Sequence, residues 1–115
     1  MTALLTMLVL GCTAGDIADS AATCVEDADG SYPTWGTFGA AFFLDYCASC
    51  HAASAPQRFG APDTAVFDTE AEVKARLPAV RRVVLQSQSM PKGGGVPEAD
   101  LQELTRYLDC LEAGR

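Results

Sequence analysis

The 115-residue chain carries 15 acidic and 8 basic side chains, a formal net charge of −7, 49% hydrophobic residues and five cysteines. That balance disfavours a nucleic-acid partner, which asks for a basic surface, and mildly favours partners with a basic docking face. A chain this short builds only a meagre core unless a crosslink or a cofactor completes it.

Residues 1–11, MTALLTMLVLG, are apolar and end at Cys12. Crossing a bilayer takes about 20 residues, so the stretch reads as a short signal segment of an exported protein. Val9-Leu10-Gly11-Cys12 resembles a bacterial lipobox, and the resemblance implies that Cys12 is the lipid-bearing first residue of the mature chain, holding it to the membrane. Cleavage near Ala14 and an uncleaved anchor are the other readings. Residues 12–31 contain Asp16, Asp19, Glu26, Asp27 and Asp29 and no basic residue, which predicts a flexible acidic tether. These five charges supply most of the net charge, and residues 32–115 form the domain proper.

Thr34 is a candidate amino-terminal cap for a helix over residues 35–46. On it, Gly36, Gly39, Phe43 and Cys47 fall at spacings of three or four and share one face. The helix leads into Cys47-Ala48-Ser49-Cys50-His51, a C-x-x-C-H pentapeptide that signals c-type haem attachment. Two thiols at this spacing each form a thioether to one porphyrin edge, and the following imidazole is placed to ligate the iron. His51 is the only histidine, so bis-histidine ligation within one chain is excluded. Residues 52–67 form a loop, broken by Pro56, Gly60 and Pro62. Within it Arg58 either reaches a haem propionate, whose geometry a guanidinium matches, or is a solvated loop arginine.

Thr69-Glu70-Ala71-Glu72 fits a capping box, which predicts a helix from about residue 70. Val73, Leu77, Val80, Val84 and Leu85 make its inward stripe, and Pro78 is expected to kink or divide it. Arg81 and Arg82 lie off the stripe and are expected to face solvent. Met90-Pro91, followed after Lys92 by three glycines, stays out of a helix. Met90 is the best candidate for the second axial ligand, a soft thioether that favours the ferrous state. Lys92 beside it is a candidate docking residue. A last helix starts near Pro97, carries Leu101, Leu104, Leu108 and Leu111 as its apolar seam, and stops at Gly114.

Over residues 34–110 these features together resemble a small monohaem class I cytochrome c of bacterial type. The family places a glycine and an aromatic eight and four residues before the first haem cysteine, where Gly39 and Phe43 stand, and an aromatic on the last helix, where Tyr107 stands. The resemblance implies an all-α domain, a bundle of three to four short helices around covalently attached haem c, in which the last helix crosses the first at Gly39. It also implies that the Pro62 carbonyl, in Gly60-Ala61-Pro62, accepts the free ring N–H of His51. With Cys12 allotted to lipid and Cys47 and Cys50 to haem, Cys24 and Cys110 remain as a disulfide pair, in keeping with an oxidising compartment. A zinc site built from Cys24, Cys47, Cys50, Cys110 and His51 is the competing reading.

With His51 and Met90 as axial ligands no open iron position is left for substrate chemistry, so the expected role is non-enzymatic. The chain is expected to carry one electron between periplasmic or membrane-associated redox donors and acceptors, which it meets transiently. The rival readings are a gas sensor or peroxide-reactive protein with a labile Met90, and a haem subunit of a larger oxidoreductase.

Overall fold

Hydroxyl caps start two of the helices in the computed structural model, which describes residues 23–115. The signal segment, Cys12 and the first half of the tether fall outside the described residues. The Thr34 hydroxyl accepts the Thr37 N–H at 3.2 Å, and Thr37 Oγ1 accepts the Thr34 N–H at 2.9 Å. The run they open begins as wide π-type turns over Trp35–Gly39 and tightens into α1, Ala40–Tyr46. Cys47, with φ −121°, interrupts it, and the single turn α2, Ala48–His51, follows.

Thr69 repeats the device: its hydroxyl accepts the Glu72 N–H while Glu72 Oε2 accepts the Thr69 N–H at 2.9 Å, starting α3, Glu70–Ala75. Pro78 has no N–H to donate to the preceding turn, and its ring would clash with the carbonyl four residues back. The run therefore breaks at Arg76 and restarts as α4, Leu77–Val80, which continues in π-type turns over Arg81–Gln86. Helix α5, Glu98–Glu112, has Glu98 and Asp100 in its first turn, where the helix dipole favours negative charge. Gly114, at φ +79°, ends it: Arg115 N–H reaches Cys110 O at 2.9 Å and Gly114 N–H reaches Leu111 O at 3.2 Å, the paired bonds of a Schellman stop. The regular elements among the described residues are all helical. Among the described residues the expected three to four helices are five, because Cys47 sets the C-x-x-C-H turn apart from α1 and the second run is divided ahead of Pro78, as expected.

Phe42 and Phe43 of α1, Val73 of α3, Val80 and Val84 behind it, and Leu104, Tyr107, Leu108 and Leu111 of α5 form one buried cluster. Its tightest point is Gly39. A Cβ there would lie 2.8 Å from Tyr107 Cζ and 2.9 Å from Trp35 Cε3. Only a glycine lets the Tyr107 ring lie against the first helical run. The Tyr107 hydroxyl donates to Glu70 Oε1 at 3.3 Å, tying α5 to α3, and burial followed by that carboxylate pushes its pKa up. Arg81 departs from expectation: its guanidinium pairs with Asp109 at 2.8 Å and Glu112 at 2.9 Å, fastening the second run to α5, while Arg82 is exposed.

The acidic arm also departs from expectation in its described part. Cys24 is disulfide-bonded to the buried Cys110 of α5. Asp27 pairs with Arg106 at 2.9 Å, Glu26 with Arg115 at 2.6 Å, and the Arg115 guanidinium lies over the Tyr32 ring. Two of the arm's acids meet Arg106 of the last helix and Arg115 just beyond it, so the stretch from Cys24 onward is docked rather than free. The exposed ion pairs contribute little each, and the crosslink, spanning 86 residues of sequence, contributes most.

Two substitutions test this packing. Gly39→Ala is expected to lower the urea-unfolding free energy by about 1–3 kcal/mol, the cost of overpacking, outweighing a helix-propensity gain of at most about 1 kcal/mol. Cys24→Ser is expected to lower it by roughly 4–5 kcal/mol on the chain-entropy model, with the far-ultraviolet helical signal of the native protein retained.

Candidate functional site

The Cys47 carbonyl accepts the N–H groups of both Cys50 and His51, at 3.2 and 2.9 Å, so the whole C-x-x-C-H unit is wound into one turn. Cys47 and Cys50, three residues apart, share a face of that turn, and both are free thiols. Burial pushes the Cys47 thiol up to about 12, so at neutral pH it is protonated.

Both cysteines and His51 line a cleft of about 340 Å³ whose other walls include Tyr46, Arg58, Phe59, Pro62, Met90, Pro91 and Lys92. A second hollow of about 170 Å³, walled by Phe43, Phe67, Val80, Val83 and Val84, shares Tyr46, Cys47, His51, Met90 and Pro91 with the first. The two hollows therefore adjoin, with His51 and Met90 lining both. Residues predicted on chemical grounds from three separate stretches of sequence are gathered at one place.

His51 is held through its ring and its backbone. Nδ1 lies 2.8 Å from the Ala65 carbonyl, which can only accept, so Nδ1 carries a proton, and in the neutral imidazole the lone pair open to a ligand is that of Nε2. The Phe67 ring packs 5.3 Å from the imidazole, and Phe67 N–H reaches His51 O at 3.1 Å. Asp68 Oδ2 accepts the Ala53 N–H at 2.8 Å and closes the base of the loop.

The expected role of Pro62 is therefore corrected. Its carbonyl accepts the Ala65 N–H at 2.9 Å and an Arg58 N–H at 2.8 Å, and the turn so formed aims the Ala65 carbonyl, three residues on, at His51. Arg58 is no solvated loop arginine: it donates to the carbonyls of Ala52, Pro62 and Ala65. Ala65 carried no sequence signal, because its contribution is a backbone oxygen that any residue has.

Met90 is brought in by the π-type turns before it. Ser87 N–H bonds back to Arg82 O, which leaves the Val83 carbonyl free to accept the Met90 N–H at 3.0 Å. Lys92 Nζ donates to Phe59 O at 3.2 Å, so the predicted docking lysine links the Met90 segment to the His51 loop. Tyr46, on the cleft wall, donates from its hydroxyl to Asp100 Oδ2 at 2.7 Å; that bond raises its pKa and fixes the end of α1 against the start of α5.

The donor set fits haem c: two free thiols on one turn, an imidazole with Nδ1 already bonded, a thioether lining the same cleft, and largely apolar walls. It does not fit the zinc alternative, because Cys24 and Cys110 are joined to each other. Compared with known proteins, the chain matches no protein-family model, no curated protein and no solved structure.

In protein prepared without haem, Cys47 is expected to alkylate slowly at pH 8. Its rise from 9.0 to about 12 leaves roughly a thousandfold less thiolate, the reactive form. Iodoacetamide labelling followed by peptide mass spectrometry should show the rate climbing as pH approaches 12.

Proposed function

We propose that this chain is a one-electron carrier, an all-α domain of class I cytochrome c type holding a single haem c. Cys47 and Cys50 would form the thioethers, and His51 Nε2 and Met90 Sδ would be the axial ligands. The observation that carries the reading is the meeting of His51, Met90 and both free thiols in one cleft, with His51 Nδ1 committed to Ala65 O.

Haem c, when bound, supplies a one-electron ferric/ferrous couple. The chain's own residues do the rest. The Ala65 carbonyl fixes the orientation of the imidazole and raises its basicity, the apolar wall of Phe43, Phe67 and the valines limits water, and Met90 as a ligand would fill the position a substrate would need. These roles favour electron transfer through the haem edge over bond-making chemistry. The partners would be redox proteins that dock briefly over a small area.

The disulfide supports an exported, periplasmic location. No helix among the described residues is long and apolar enough to cross a membrane, and lipid on Cys12 is the proposed membrane attachment.

Protein expressed with a c-haem maturation system decides the matter by its absorption spectrum. The carrier reading expects a low-spin spectrum in both oxidation states, a weak near-infrared methionine-to-iron band, and no response to carbon monoxide. Rapid carbon monoxide binding would replace it with the sensor or peroxide reading. Met90→Ala is expected to keep the haem covalently attached, to bind carbon monoxide and to lower the reduction potential; an unchanged ferric spectrum would remove Met90 from the site.

A further inference from the structure

The His51 loop is wrapped around one cation. Arg58, with a side chain only 20% exposed, gives Nη1–H to Ala52 O at 3.0 Å and Nη2–H to Pro62 O at 2.8 Å and Ala65 O at 3.2 Å. Its Nε is buried and has no hydrogen-bond partner among the described residues; Asp63 Oδ1 is 3.8 Å away, on a fully exposed side chain. A carboxylate standing in water screens that charge poorly from the interior. The guanidinium is thus a largely uncompensated cation separated from the imidazole by a single carbonyl.

That carbonyl is shared. Ala65 O accepts His51 Nδ1–H at 2.8 Å and Arg58 Nη2–H at 3.2 Å. One oxygen has two lone pairs and can take both donors, but the charged donor is the stronger partner. It polarises the oxygen and makes it a poorer acceptor for the imidazole N–H.

We propose that Arg58 is a positioning residue that tunes His51: by sharing the Ala65 carbonyl it limits the electron density the imidazole can offer a metal. This rests on the haem reading given above. Two effects then act in the same direction. A weaker Nδ1–H bond makes His51 a less basic ligand, and the nearby cation disfavours the extra positive charge of the ferric state. Arg58 therefore raises the reduction potential of the bound haem.

The test compares the matured wild-type holoprotein with Arg58→Met and Arg58→Lys by spectroelectrochemical titration at pH 7. At a fixed ambient potential, Arg58→Met is expected to show an oxidised-to-reduced ratio up to about tenfold higher, a midpoint lower by up to about 59 mV. Arg58→Lys, which keeps the charge and loses the fork, should fall between, and both should keep the axial-ligand spectrum. In the reduced wild type, the Arg58 Nη protons should exchange slowly and cross-relax with the His51 Nδ1 proton in nitrogen-15-edited spectra. Unchanged midpoints with intact ligation would overturn the proposal while leaving the carrier reading standing. If neither variant retains haem, the wild-type spectra decide, and a freely rotating guanidinium overturns it. A wild type that takes up no haem removes the carrier reading and this inference together.

Discussion

A single hydrogen atom at Gly39, where any other residue has a Cβ, sets how closely the first helical run and α5 approach. With Tyr107 and Trp35 both inside 3 Å of that vacant Cβ position, the tyrosine ring lies flush on the run, and the rest of the bundle is registered from there. Tyr107 reaches Glu70 at the start of α3, Phe43 lies one turn beyond Gly39 in the buried cluster, and four residues further Cys47 enters the cleft. Displacing α5 would move Asp100 away from Tyr46 and so loosen the cleft wall. The close contact is remote from the thiols, yet it fixes the end of the helix that presents them.

The cleft is assembled from two segments of different character. The C-x-x-C-H turn follows α1 directly across the break at Cys47 and is wound by two bonds to the Cys47 carbonyl. Met90 comes from irregular backbone: its N–H reaches the Val83 carbonyl that the π-type turns before it leave free, its side chain packs against the core cluster, and Lys92 ties its segment to Phe59. π-type turns are frequent at functional sites, and here they free a carbonyl that an α-helix would occupy. On the carrier reading, the more easily displaced axial ligand is the methionine, and the fold makes the same distinction by giving His51 a ring bond, an aromatic neighbour and a clamped loop.

Much of this was legible in the sequence, for a common reason. Side-chain chemistry and side-chain periodicity can be read from residue identities, and the helices, both threonine caps and the Pro78 division rest on them; the Gly39 crossing comes only with the cytochrome resemblance, and the Cys24–Cys110 pair with the allotment of the other cysteines. Backbone groups leave no such trace. The acceptor for His51 was placed at Pro62 and proved to be Ala65, because the turn that exchanges them is made by backbone bonds and by Arg58 reaching inward. Likewise the acidic arm looked too polar to order. Its composition carries no sign that Arg106 and Arg115, 79 and 89 residues away, meet it. Composition predicts disorder for a segment by itself and says nothing of a covering partner elsewhere in the chain.

The docked arm changes what a tether can do. Cys24 is fixed to Cys110 near the end of α5, whereas Asp100 and Leu101, in its first turn, stand beside Tyr46 and the Met90 segment. Ten residues of helix, about 15 Å, separate the two. On the proposed lipid attachment at Cys12, the pull of the membrane would enter the domain at the crosslinked end of α5 and bear on a covalent bond. The cleft, at the other end, would then be spared that load and left open to a redox partner. An arm that stayed free as far as residue 31 would enter at the first helical run instead, close to the Gly39 contact on which the bundle depends. On that reading, docking the arm on α5 would keep anchoring and electron exchange at separate ends of one helix.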